Sequence, residues 1–311
     1  MDNTALQTFL TLVQTGSFTE AAEKLYLSQS AVSKRIATLE NELNCRLLDR
    51  IGKQVLLTEA GKVLAARARS LLTEMEDTRR QIQNLSETVQ GTVSIGTSHH
   101  IGLHRLPEVL RNYTRQFPMV ELDLQFMNSE QVCAAVNNGQ LELGVITLPL
   151  RPMEHLTLHP IWDDALEFVI GRAHPLVKSQ QANSFKHNTL HSQLNDLSRH
   201  EAILPSRGTF TREIVDGVFA QHNLPVHTKM QTNYLETIKM LVSVGLGWSV
   251  LPRKMLVDTT VLRILVAEVN ISRSLGAVWH SSRTLSNAAK QFLMQLEQTG
   301  DHGTITITPP A

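Results

Sequence analysis

Gln29, Ser30, Ser33 and Lys34, with Arg35 at the edge, would share one face of a helix, and none of them is acidic. An amide, short hydroxyls and a cation on the first turns of a helix suit reading base edges in a major groove. A merely solvated face is the alternative, since any surface helix presents one. Arg50 and Lys53 flank a glycine and could touch phosphate or enter the minor groove, with Ser28 and Ser30 as further phosphate contacts. A second set gathers hydroxyls, imidazoles and a guanidinium in Ser98-His99-His100, Asn128-Ser129, Thr147 and Ser206-Arg207-Gly208-Thr209. It contains no carboxylate, and its members would sit at helix N-termini, so a small anionic metabolite is the ligand expected. Each of these polar residues could instead be a simple helix cap, and Arg207 could equally be a surface cation.

Other chemistries find less support. His100 and His104 stand four apart, a spacing that can hold a metal, but no Cys, Asp or Glu accompanies them nearby, so no metal site is expected. Cys45 and Cys133 are far apart and lack metal-ligand spacing, which suits free thiols in a reducing compartment rather than a redox sensor. No nucleophile elbow, P-loop or dinucleotide fingerprint is found, so the chain is not expected to be an enzyme. An α/β enzyme or a solute-binding protein could nonetheless use the same kind of cleft.

The elements that must position the first set are legible. Ala5, Leu6, Phe9, Leu10 and Val13 recur at helical spacing, and Thr15-Gly16 ends that helix. Ser17 and Glu20 have capping-box spacing ahead of a helix with Ala21, Ala22 and Leu25, small residues that allow a close crossing. Ser28 can cap a third helix running to about Leu43, whose buried stripe would be Val32, Ile36, Leu39 and Leu43. Residues 47–57 read as two short strands around a turn, a wing, and Thr58 caps a long helix.

The run from Phe9 through Gly16-Ser17-Phe18-Thr19-Glu20-Ala21-Ala22, Leu25, Ser28-Gln29-Ser30-Ala31-Val32-Ser33, Ile36 and Leu39-Glu40 to Leu43 resembles the DNA-binding signature of the LysR-type transcriptional regulators. Leu47, Arg50 and Leu57-Thr58-Glu59-Ala60-Gly61 are similar to that family's wing and linker start. The likeness spans about sixty residues without a gap, well beyond a generic motif. Leu48 stands where the family often has Phe, and Ser30 where it often has Pro. The resemblance implies a sequence-specific transcriptional regulator with promoter duplex DNA as partner, and it leaves RNA polymerase open as another.

Leu64, Ala68, Leu71, Met75, Thr78, Ile82, Leu85 and Val89 alternate steps of four and three, the pattern of a coiled-coil seam. A helix of about 30 residues would reach about 45 Å. Pairing with a second copy is expected, with packing against its own chain as the alternative. Leu64, Leu71, Met75, Ile82 and Leu85 are the candidate dimer contacts.

From Gly91 strands and helices alternate, which implies an α/β domain with a mainly parallel sheet. Strands are expected at 92–97, 121–126, 143–147, 166–170 and 202–204, and Asn233-Tyr234-Leu235-Glu236 has capping-box-like spacing before another helix. Gly245-Leu246-Gly247-Trp248 resembles a turn near the end of the family's effector domain. The fold class expected is therefore multidomain α+β: a winged helix-turn-helix over 1–59, a linker helix over 60–90 and an effector domain over 91–300. The resemblance implies that this last domain is periplasmic-binding-protein-like, with one subdomain at about 92–163 and 269–297 and another at about 164–268. It also places Ser98 and Thr147 at effector-contacting positions and implies a dimer or a homotetramer built as a dimer of dimers. Residues 301–311 read as a tail.

Composition sets the outer bounds. The 311 residues are 42% hydrophobic, 19% charged and 5% aromatic, with a formal net charge of zero. No run of 18 apolar residues is present and the N-terminus lacks a signal-peptide pattern, so a soluble, cytoplasmic protein without a membrane partner is expected.

Overall fold

The computed structural model of the chain describes residues 1–51, 54–86, 88–179, 189–267 and 269–300. Lys53 and the expected tail lie outside the described residues. The chain divides into two compact units, Met1–Glu87 and Thr88–Ala311.

In the first unit the helices are α1 (Asn3–Thr15), α2 (Phe18–Lys24) and α3 (Gln29–Leu43). Strands β1 (Leu48–Ile51) and β2 (Gln54–Leu57) pair antiparallel as a wing before α4 (Glu59–Gln83). Local chemistry sets these boundaries. Gly16 ends α1 in the left-handed conformation, which a residue without Cβ adopts freely. The Ser17, Ser28 and Thr58 hydroxyls accept from the backbone N–H groups of Glu20, Ala31 and Gly61, each capping its helix. Leu6, Phe9, Leu12, Ala21, Val32, Ile36, Leu39 and Leu47 form the shared core. Leu43, expected in the buried stripe, is 38% exposed because it lies in the final turn, where Asn44 already turns the chain away.

The long helix differs from the sequence expectation. Leu64 and Ala68 are buried in the unit's own core, so the first turns of α4 pack on their own chain and Leu64 is not a free dimer contact. The helix has 25 residues, about 37 Å at 1.5 Å per residue, and stops at Gln83. Leu85 lies beyond it, and Val89 packs against the core of the second unit. Leu71, Met75 and Ile82 remain as exposed apolar residues on its second half.

Gly61 is required by packing rather than by its dihedrals. A Cβ there would lie 2.1 Å from the Leu47 carbonyl oxygen, where α4 begins against the wing. Gly61→Ala should therefore destabilise the protein by about 1–3 kcal/mol, the usual range for overpacking, as read by urea unfolding.

The second unit contains β3 (Gly91–Thr97), α5 (His99–His104), α6 (Leu106–Gln116), β4 (Val120–Phe126), α7 (Ser129–Asn137) and β5 (Leu143–Thr147). Then come β6 (Leu156–Gly171), α8 (Pro175–Ser179), β7 (Thr189–Ser192), α9 (Leu194–Ser198), β8 (Ala202–Leu204), α10 (Phe210–Gln221), β9 (Thr228–Gln231) and α11 (Leu235–Ser243). The unit closes with β10 (Trp248–Pro252), β11 (Val261–Val266), β12 (Ile271–His280) and α12 (Asn287–Gln298).

Its strands run in the order β4-β3-β5-β12-β6-β10-β8-β9, with β11 and β7 joined through β6. Neighbours are parallel in β4-β3-β5 and β10-β8-β9, while β6 and β12 run antiparallel to their partners along the axis of that order. These two long strands cross between two halves. Ile161, Trp162, Leu275 and Ala277 belong to the core under β3 and β5, whereas Leu166, Phe168 and Ile271 belong to the core under β8 and β10. Only the segment 166–170 of β6 is obvious in the sequence. Its first half carries His159, Pro160, Asp163 and Asp164 and breaks the apolar pattern.

Candidate nucleic-acid interface and ligand cleft

On α3 the order of residues decides what each can reach. Gln29, Ser30 and Lys34 are exposed, and Ser33 is half-buried. No ion pair ties Lys34 among the described residues. Ser28 is committed as the cap and also hydrogen-bonds Ser30 at 2.9 Å, which fixes both hydroxyls at the start of the helix. Arg35 is half-buried, and its Nη1 donates to the Thr8 hydroxyl on α1 at 3.4 Å. It anchors α3 rather than projecting with the exposed strip. Arg50 lies on β1, and Lys53 is outside the described residues.

The wing is braced from below. Glu40 accepts from the backbone N–H groups of Leu47 and Leu48 at 2.8 and 3.3 Å, and the Thr58 hydroxyl donates to the Arg46 carbonyl at 2.8 Å. One exposed residue escaped the sequence reading. Tyr26, in the turn between α2 and α3, is 96% exposed and has φ 54°, an uncommon value for an aromatic residue. Its only signal was an aromatic ring within a connection too short to bury one.

In the second unit a cavity of about 50 Å³ opens between the two halves. The expected residues Ser98, His100, Asn128, Ser129, Thr147 and Thr209 line it, together with Arg273, Thr211 and Asn233. Ser98 precedes α5 without making a side-chain capping bond. The Ser129 hydroxyl instead accepts from Thr147 N–H at 3.2 Å, fixing the end of β5 against α7. Thr209 caps α10 and donates to the Ser206 carbonyl at 2.8 Å.

Two expected contacts are not among the lining residues. Arg207 is exposed at the surface. His99 is exposed and packs its ring against Phe126 and Tyr234, at centroid distances of 5.4 and 4.9 Å. The expected absence of carboxylates also fails. Glu130 lines the cavity, and its Oε1 accepts from Phe210 N–H at 2.6 Å, so a carboxylate from one half already occupies the N-terminus of α10 in the other. Asn233, expected as a cap, accepts from Ser206 N–H at 2.9 Å instead, and Tyr234 precedes α11.

The cation at this cavity is Arg273, which the sequence reading missed. It sits opposite Asp164 where β12 pairs with β6, at the crossing between the halves. Its Nε donates to Asp164 Oδ2 at 2.9 Å and its Nη1 to the Thr211 hydroxyl at 2.9 Å. Arg105 Nη2 reaches Asp164 Oδ1 at 3.2 Å, and its guanidinium lies 5.4 Å from the Trp162 ring centre. All three charged side chains are buried, so two cations share one anion in a low-dielectric site. Burial pulls the Arg273 pKa below its ordinary value, while Asp164 opposes that shift.

Two buried polar atoms here lack hydrogen-bond partners: Arg273 Nη2, although it lies 2.9 Å from Asp164 Oδ2, and His100 Nδ1. Burial, then the charges of Arg273, His104 and Arg105, push the His100 pKa down to about 2. His100 is therefore a neutral imidazole. The only signal for Arg273 was an arginine between two serines in a strand that turns apolar from Leu275, and once buried such a cation demands a partner.

One further grouping was not visible in the sequence. Glu236, at the start of α11, comes to His100 and His104 on α5, with His104 Nε2 2.9 Å from its Oε1 and His100 Nδ1 4.0 Å away. No described helix is long and apolar enough to cross a membrane.

Comparison with known proteins agrees with this division of labour. Residues 4–62 match the bacterial regulatory helix-turn-helix protein profile of the lysR family, and residues 86–301 match the LysR substrate binding domain. The chain is 32% identical over 292 residues to the HTH-type transcriptional regulator YeiE of Escherichia coli K12, covering 93% of this chain and 94% of that one. It also resembles the structure of full-length CbnR complexed with its target DNA, at a TM-score of 0.62 and 19% identity, covering 96% of this chain and 100% of that one. The effector binding domain of QuiR in complex with shikimate aligns at a TM-score of 0.59 and 20% identity, covering 68% of this chain and 98% of that domain.

Proposed function

The chain belongs to the LysR family of transcriptional regulators, a DNA-binding family with an effector domain, and on that premise we propose that its cleft senses a small carboxylate-bearing metabolite. One observation carries this reading: two buried arginines share the single carboxylate of Asp164, which leaves one positive charge in excess at the cavity that Arg273 lines. An anion there would accept from Arg273 while Ser98, Ser129 and Thr147 supply short hydrogen bonds. Neutral His100 adds a hydrogen-bonding group without a second charge. That the QuiR effector domain binds shikimate, itself a carboxylate, supports the same ligand class.

The two halves contribute unequally before the ligand arrives. Glu130 reaches from α7 to the N-terminus of α10, where it acts as an internal anion across the cleft. A metabolite carboxylate would compete with it, so an arrangement of the halves that frees the α10 N-terminus would bind ligand more tightly, as any effector switch requires. No catalytic step is assigned to this cleft.

For DNA, Gln29, Ser33 and Lys34 carry base discrimination, while Ser28, Ser30, Arg50 and Lys53 hold phosphate. Two copies pair along the second half of α4 and present their α3 helices to successive major grooves. A further pairing of dimers would give the homotetramer. Because it works on promoter DNA, its place of action on this reading is the cytoplasm.

A thermal-shift screen of small mono- and dicarboxylic acids against the full-length protein tests the cleft. A hit at 100 times its Kd should add about 2.7 kcal/mol of stability, and Ser98→Ala should weaken that hit by about tenfold. If the only stabilising compounds are uncharged or cationic, the anion reading fails. Steady conversion of any hit by the protein would favour an enzyme instead.

A further inference from the structure

The grouping of His100, His104 and Glu236 lies outside the anion site's donor set except for His100, and it has the composition of a metal site. We propose that these three side chains bind one late first-row divalent metal ion, of which Zn²⁺ is the representative.

The argument starts from the helix. Residues four apart lie on one face, so α5 presents His100 and His104 together, with ring centres 4.7 Å apart. Glu236 comes from α11 in the other half, and one ligand atom from each of the three side chains lies within 4.8 Å of the other two. A tetrahedral zinc ion with bonds of about 2.0–2.2 Å separates its N and O ligands by about 3.4 Å. The distances of 2.9 Å from His104 Nε2 and 4.0 Å from His100 Nδ1 to Glu236 Oε1 bracket that value. Small side-chain adjustments suffice to seat an ion.

A second observation points the same way. His100 is 6% exposed, and its Nδ1 is a buried nitrogen without a hydrogen-bond partner, on the side of the ring nearest Glu236. Such an atom normally costs free energy, and a metal bond would satisfy it. Two imidazoles and one carboxylate form a set suited to zinc and its neighbours rather than to calcium or magnesium, which prefer oxygen. Arg273 and Arg105 near His100 oppose a cation; Asp164 offsets one of the two charges, and the Glu236 carboxylate, itself a ligand, places a negative charge directly at the ion. Three protein ligands leave a fourth position open. Because the ligands come from both halves, an occupied site would fasten α5 to α11 and favour the closed cleft.

Full-length protein without an affinity tag, stripped with chelator, would be titrated with Zn²⁺ and Co²⁺ in the absence of any organic acid. The expected result is one ion per chain, a rise in Tm on binding, and visible Co²⁺ bands of tetrahedral intensity. Glu236→Gln and His104→Ala should each weaken Zn²⁺ more than about a hundredfold, since even outer-shell changes cost about 10–100-fold. His104→Cys should keep the metal and add a cobalt–thiolate charge-transfer band, which a merely structural role for His104 could not produce. Failure to bind Zn²⁺ at one per chain, or Glu236→Gln titrating like the parent, overturns the proposal and leaves His104–Glu236 an ordinary ion pair. His100 belongs to both sites, so the carboxylate screen is run on metal-free protein and the Zn²⁺ titration without organic acid, and each reading can then fail in its own assay.

Discussion

Replacing Arg273 with Met should cost about 1–3 kcal/mol of stability, because Asp164, 2% exposed, and the Thr211 hydroxyl lose their buried donor, although Arg105 still neutralises the carboxylate. The same change should abolish the thermal response to any carboxylate found by screening. Loss of fold alone could mimic the second effect, so Arg273→Lys separates the two. Lysine keeps the charge opposite Asp164 but lacks the forked donors, and it should restore most of the stability while leaving the ligand weakened at least about tenfold. Urea unfolding and thermal shift on the same samples read both quantities. A fully stable Arg273→Met protein would mean that the buried network matters little to the fold.

The second large effect concerns pairing. Leu71 and Met75 are 43% and 49% exposed on α4 and belong to no part of the unit's own core, unlike Leu64, Ala68 and the neighbouring Leu72. Leu71→Glu combined with Met75→Glu should leave the first unit folded, since neither residue is buried. It should halve the mass seen by sedimentation and weaken duplex binding by about 100-fold or more, the advantage that linking two half-site readers normally confers. An unchanged sedimentation mass would move the dimer contact elsewhere.

The sequence disclosed those parts of this protein that are written locally. Ser17, Ser28 and Thr58 marked helix starts because a cap acts within three residues, and the α3 strip was visible because a helical face is a fixed periodicity. The seam was harder to read. A heptad spacing records which residues are apolar but not what covers them, so Leu64 and Ala68 looked like Leu71 and Met75 until α1 was seen to cover them. In the cleft, Ser98, His100, Ser129 and Thr209 were legible because each lies at the start of a helix that follows a strand, and Thr147 because it ends a strand. Arg273, Glu130 and Glu236 were not. Each meets its partner only through the tertiary fold, at separations of 109, 80 and 132 residues, and no local pattern encodes such a meeting. The same limit explains the metal reading: two histidines at helical spacing lacked a visible carboxylate because Glu236 arrives from another element.

The most direct measurement selects bound duplexes from a random pool with the parent protein and with Lys34→Ala, at two salt concentrations. The parent should enrich a pair of related half-sites about one helical turn or a multiple apart. Lys34→Ala should relax the preference at one position in each half-site, at a cost of about 1–3 kcal/mol for the cognate site, while remaining salt-dependent. Enrichment of the same sequence with undiminished affinity would contradict the assignment of the α3 strip as the surface that reads DNA.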